Sequence, residues 1–246
     1  MTKMRKISKL VILIFMALVG LQVSVLAEYK SDQSTTLTEK QQSIIPIAAF
    51  TAQGELEQLK PALNAGLEAG LTVNEIKEIM VHLYAYCGFP RSIRGLQTFM
   101  EVMDERKAKG ITDETGVEAS LLNDERSKYD RGKANLETLI GRPLDGPQSG
   151  YAAFAPIIEI FLKEHLFADI FDRDVLTYAE RELVTVSVIS AIGSAEPMLR
   201  SHLSICLNVG YTPDQLQEFV SIIQATVGKD EAKAAQVVLN EVLKNR

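Results

Sequence analysis

Leu63-Asn64-Ala65-Gly66-Leu67-Glu68-Ala69-Gly70-Leu71-Thr72-Val73-Asn74-Glu75-Ile76-Lys77-Glu78 returns 140 residues later as Leu203-Ser204-Ile205-Cys206-Leu207-Asn208-Val209-Gly210-Tyr211-Thr212-Pro213-Asp214-Gln215-Leu216-Gln217-Glu218. The copies agree in pattern more than in identity: Gly, an apolar residue, Thr, then an acid or amide three residues on. Thr72 and Thr212 read as helix N-caps, and Glu75 and Gln215 complete capping boxes. Gly70 and Gly210 close the helices before them. A repeat this long is a duplicated domain rather than a solenoid unit. It extends outward: Leu37-Thr38 matches Leu176-Thr177 and Gly54 matches Gly193 at an offset of 139. One inserted residue then moves the offset to 140, at which Gly88 matches Gly228.

The rest of the chain reads as all-α. Strand-like alternation is nearly absent, and Gly and Pro fall at helix boundaries. The pattern predicts helices over 37–53, 55–69 and 72–86, then one from Pro90 to about 109. The second copy has helices over 151–167, 177–192, 197–209, 212–226 and 230–244. Residues 110–149 read as a linker containing a charged helix within 117–140 and a Gly/Pro loop over 141–147. The repeats therefore occupy 28–109 and 150–246.

Residues 1–27 read as a secretory signal peptide. Lys3, Arg5, Lys6 and Lys9 precede an apolar run over 10–21, and Val25-Leu26-Ala27 is a small-residue cleavage site. The expected product is exported, periplasmic or secreted, and free of the membrane once cleaved. Cleavage moves the formal net charge from −6 to about −10. An acidic exported chain is a poor partner for nucleic acid or anionic lipid. Cys87 and Cys206 are the two cysteines, and their spacing does not decide whether they pair. No C-x-x-C and no Cys/His cluster is present, so no metal site is expected.

The two copies differ in the residues that carry chemistry. Glu182 and His202 stand where the first copy has Ser43 and Ala62. Conversely, Tyr84-Ala85-Tyr86-Cys87-Gly88-Phe89-Pro90 lost its aromatics in the second copy, Val227-Gly228-Lys229-Asp230. His202 titrates in the range suited to proton transfer, and Glu182 would orient it or relay its proton. Ala62 at the matching position suggests that His202→Ala costs the fold little. His82 shares a helix face with Tyr86 and reads as a buried histidine or a third catalytic group. Cys87 reads as a small buried hydrophobe. Arg91 and Arg94 follow Pro90, where guanidinium groups suit a substrate carboxylate or a solvated face. His165, in a Lys-Glu-His run, reads as surface.

Arg181-Glu182-Leu183-Val184-Thr185-Val186, a His twenty residues on, then Gly210-Tyr211-Thr212 and Glu218 resemble the carboxymuconolactone decarboxylase family. Tyr86-Cys87-Gly88-Phe89-Pro90 is similar to the aromatic-x-Gly-x-Pro that ends that domain. The resemblance covers roughly 37–105 and 150–243. It implies two tandem alkylhydroperoxidase D-like helical repeats packed as a pseudo-dimer, and assembly into a homo-oligomer. The family includes cofactor-free decarboxylases of lactone acids and dithiol peroxidases. The peroxidase branch needs two cysteines after the Glu. Those positions are Ser194 and Pro197, or Ala195 and Met198 in the other register, so the dithiol is absent.

The expected function is a cofactor-free enzyme on a small carboxylated or lactone-type substrate. Its catalytic residues are His202, Glu182 and His82, and its substrate-binding residues are Tyr84, Tyr86, Cys87, Arg91 and Arg94. A non-catalytic periplasmic binding or assembly protein is the alternative reading. A composite site, with first-copy aromatics facing the second-copy acid and base, separates the two.

Overall fold

A computed structural model describes residues 35–246, and the signal-peptide expectation lies outside them. Everything from Leu37 to Arg246 forms one unit, and no strand occurs among the described residues. The first half contains α1 (Glu39–Gln53), α2 (Leu56–Glu68) and α3 (Val73–Ala108). An intervening α4 (Lys128–Ile140) follows, then two short helices, α5 (Gly150–Phe154) and α6 (Pro156–Phe161), and a π-helix, π1 (Leu162–Ile170). The second half contains α7 (Tyr178–Ile192), α8 (Glu196–Asn208), α9 (Pro213–Thr226) and α10 (Lys229–Lys244).

The duplication is visible in backbone geometry. Thr38, Thr72, Thr177 and Thr212 all cap their helices, each in a complete capping box with Gln41, Glu75, Glu180 and Gln215. Each cap contributes about 1 kcal/mol. Gly88 bends α3 at φ 82°, ψ 158°, so its two arms answer α9 and α10, which are separated at Gly228. The single inserted residue falls between Gly193 and His202. In that stretch Ser194 takes φ 55°, the one positive φ outside glycine among the described residues.

α1 and α7 form the centre. Arg181 to Ala191 are buried without interruption, because α7 is enclosed on every side. Ile44, Ile45, Ile47, Ala48 and Ala49 of α1 belong to the same core as Leu183, Val184, Val186 and Val188 of α7. Each half sends its first helix against the third helix of the other. The Leu37 amide and Gln42 Nε2 donate to Glu218 at 2.6 and 3.1 Å. At the matching positions Arg181 Nη2 donates to Glu78 Oε1 at 2.8 Å.

The charged helix expected within 117–140 is α4; the chain before it has no regular secondary structure and takes the Val73 and Asn74 amides on the Glu114 and Thr115 carbonyls, both at 2.9 Å. One expectation is corrected. The single helix expected over 151–167 is broken at Ala155, which takes φ −134°, ψ 75° before Pro156. Proline disfavours the helical region for the residue before it, so the helix cannot run through Ala155 unbroken. The chain then widens into π1.

Residues 128–140 are more than a connection. α4 packs on π1 so closely that a Cβ at Gly132 would lie 1.8 Å from the Lys163 carbonyl oxygen. Leu139, Leu166, Phe167, Ile170 and Phe171 form a second small core with Ile205, into which Tyr84, Tyr86, Tyr178 and Val209 project. This core covers one end of the α3–α7–α8 junction, where the candidate site lies.

Candidate active site

The junction between α7 and α8 brings an acid and a base together. Glu182 Oε2 lies 2.7 Å from His202 Nδ1. Glu182 is fully buried, and the His202 side chain retains 14 % exposure. With Nδ1 held by the carboxylate, ring orientation and tautomer are fixed, and Nε2 is the atom left for chemistry. Glu180, not Glu182, supplies the first-turn cap of α7. The position of Glu182 is thus unexplained by helix capping.

The first half supplies the opposing wall. The Tyr86 ring meets His202 edge-on, with centroids 6.0 Å apart. The Tyr86 hydroxyl and Glu182 Oε1 are both buried without a hydrogen-bond partner. Leaving such a group unsatisfied costs about 1–3 kcal/mol. Burial, then the Glu182 charge, push the Tyr86 phenol far up, with the nearby Thr185 hydroxyl offsetting part of this. The phenol therefore remains a hydrogen-bond donor at neutral pH. Of the first-copy aromatics, Tyr86 is the one that faces the second-copy acid and base.

Behind these residues runs a buried polar chain. Thr185 donates to the Arg181 carbonyl at 2.9 Å, which leaves its oxygen to accept from His82 Nε2 at 2.9 Å. His82 Nδ1 faces Arg181 Nη1 at 3.3 Å. Burial, followed by the Arg181 charge, holds the His82 imidazole well below its usual range, so it is neutral. Arg181 is fully buried and pairs with Glu78, which also takes a two-pronged contact from Arg173 at 2.9 and 3.0 Å. Burial pulls the Arg181 pKa down and Glu78 draws it back up.

The remaining sequence candidates divide. Tyr84 stacks on Phe89 at 4.3 Å and bonds to His165, which is half-exposed and also contacts Asp169 at 3.1 Å. Cys87 donates to the Leu83 carbonyl at 3.2 Å, and burial pushes its thiol up to about 11. Cys206 is buried beside Glu182; its pKa is raised well above the usual thiol range by burial first and that charge second. Both cysteines are free. Arg91 packs against Gly54, and Arg94 bonds to Gln97 at 2.6 Å on an exposed face, so their described contacts are away from Glu182 and His202. Glu78, Arg173 and Thr185 were not singled out from sequence. Glu78 carried a usable signal, because it recurs as Glu218. No group of three His, Cys, Asp or Glu among the described residues is arranged to hold a metal ion.

The geometry also corrects one expectation. Because His202 is the one hydrogen-bond partner of the Glu182 side chain, His202→Ala would leave a buried carboxylate unpaired. Ala62 is tolerated in the first half because Ser43 stands where Glu182 does, so the two positions must be changed together.

An all-helical tandem repeat whose second half carries a buried Glu–His pair, faced by Tyr86 of the first half, defines the class. The carboxymuconolactone decarboxylase family pattern matches residues 25–99 and 159–241, and the chain belongs to that family. It is 29 % identical over 125 residues to a 4-carboxymuconolactone decarboxylase of Acinetobacter baylyi, across 50 % of this chain and 92 % of that protein. It is also 29 % identical over 70 residues to an uncharacterized protein of Methanocaldococcus jannaschii, across 28 % of this chain and 65 % of that protein.

Proposed function

We propose that this protein is a cofactor-free enzyme acting on a small carboxylated, lactone-type substrate, with His202 as the proton carrier and Glu182 as its orienting partner. The observation that carries the reading is the 2.7 Å bond from His202 Nδ1 to a carboxylate with no exposure. Family membership and the likeness to a 4-carboxymuconolactone decarboxylase support the substrate class. In a decarboxylation, the bond from carbon to the carboxylate breaks and carbon dioxide leaves. The electron pair enters an extended enolate, and protonated His202 returns a proton from Nε2 to carbon. Such a proton donor contributes about 10²–10⁴-fold. The Tyr86 hydroxyl donates to the enolate oxygen, where a prepositioned donor stabilises developing charge.

Purified protein is incubated with 4-carboxymuconolactone and related lactone acids, and carbon dioxide release is followed. The expected result is turnover that falls by about 10²-fold or more when His202 and Glu182 are replaced together. Ligand binding without turnover of any of them favours the second reading, a non-catalytic binding protein, which the degenerate first-half pair Ser43 and Ala62 supports. A dithiol peroxidase route has no cysteines at the required positions.

Export and self-association belong to the same proposal. Exposed Tyr151, Phe154, Ile157 and Phe161 support a homo-oligomer. Light scattering tests it, and N-terminal sequencing tests cleavage after Ala27.

A further inference from the structure

The duplication exposes a position that the two halves fill differently. At the end of α1, Gly54 takes φ 78°, and the Arg91 guanidinium lies so close that a Cβ built there would be 1.5 Å from Nη1. In the second half the equivalent of Gly54 is Gly193, and the equivalent of Arg91 is Glu231. Nothing lies within 4 Å of a Cβ built at Gly193. A cleft of about 190 Å³ occurs at this place, lined by Ser190, Gly193, Glu196, Leu199, Asp230 and Glu231 among others.

The lining is complementary to a cation with flat apolar faces. Its ionisable groups are the carboxylates of Glu196, Asp230 and Glu231, and no Lys or Arg lines it. Leu199 and Ala235 form apolar walls. First-turn carboxylates on α8 and α10 are accounted for by helix dipoles alone. Ser190 is not. It is 5 % exposed, and its buried hydroxyl has no hydrogen-bond partner. Its first-half counterpart Thr51 is bonded to the Ile47 carbonyl at 2.6 Å.

We infer that this cleft binds a guanidinium group in the position that Arg91 occupies in the first half. The Ser190 oxygen accepts one N–H, and a carboxylate at the mouth takes the charge-assisted pair, for which a planar guanidinium is suited. The group arrives on a small guanidine compound or on an arginine side chain presented by a peptide; the chemistry at the cleft is the same. This inference is independent of the Glu182–His202 site.

The test is a titration of the full chain with methylguanidinium and, separately, with N-acetyl-arginine amide, following the Gly193, Ser194 and Ala195 amide resonances. Sodium and tetraethylammonium at equal ionic strength are the controls. Saturable shifts with either guanidinium compound, absent with the controls, are expected. Tighter binding of the arginine amide assigns a presented side chain, and equal binding assigns a small guanidine compound. Glu231→Arg installs the first half's own occupant and should weaken binding by about tenfold or more; Ser190→Ala and Glu231→Gln should also weaken it. Shifts shared with sodium, or binding unchanged in both Ser190→Ala and Glu231→Gln, would overturn the inference.

Discussion

Glu78 of the first half and Arg181 of the second meet at 2.8 Å with both side chains out of water. The matching contact, Gln42 to Glu218, is 3.1 Å and involves a neutral amide. The two halves are thus joined at matching positions by one ion pair and one amide-to-carboxylate bond. Removing one partner of a buried ion pair costs about 3–5 kcal/mol, because the other charge is stranded. Glu78→Gln is expected to lose about that much in urea unfolding. Glu218→Gln leaves no stranded charge and is expected to lose about 1 kcal/mol. Equal losses at the two sites would mean that the Arg181 charge is not confined as described.

His82 gives a pH signature. Its folded-state pKa lies well below 6.5, so the folded chain refuses a proton that the unfolded chain accepts. Stability is therefore lost as pH falls through about 6.5, with about 1.4 kcal/mol gone between pH 7.5 and 5.5 for a full proton. In the His82→Gln variant that share of the slope should vanish. Parallel stability curves for the two proteins would show that His82 takes up a proton when folded.

Neither cysteine should behave as a nucleophile. The Cys87 thiol is pushed up to about 11 by burial, with Arg91 pulling weakly the other way, and Cys206 is wholly buried. Thiol reagents at pH 7 are expected to label Cys87 slowly and Cys206 only on unfolding. The Cys87→Ser, Cys206→Ser double variant should keep full turnover. Hydroperoxide reduction that this variant loses would revive the peroxidase chemistry.

The fold was readable because the chain carries its own comparison. Capping threonines and helix-closing glycines recur at fixed offsets, and each does locally what its pattern says. The covering segment was less legible. Its break depends on Ala155 before Pro156, and π1 has no periodicity signal that separates it from an ordinary helix. At the site, Glu182 and His202 stood out as differences between copies, and Tyr86 as an aromatic kept by one copy. Arg181, Glu78 and Thr185 act through the pairings Glu78–Arg181 and His82–Thr185, each across 103 residues, which sequence spacing does not reveal. Of the two roles open to Arg91, the solvated face is the one its exposed position beside Gly54 fits.

The most direct test is the double variant Glu182→Ser, His202→Ala, which writes the first half's Ser43 and Ala62 into the second half. Melting and turnover are measured on the same preparation, with the lactone acid that gives the parent chain the highest rate in the proposed decarboxylation assay. Stability within about 1–1.5 kcal/mol of the parent is expected, since no buried charge is left unpaired. Turnover per folded molecule should fall by about 10²-fold or more. A variant that melts far earlier while its folded fraction turns over at the parent rate would contradict the acid–base role of the pair.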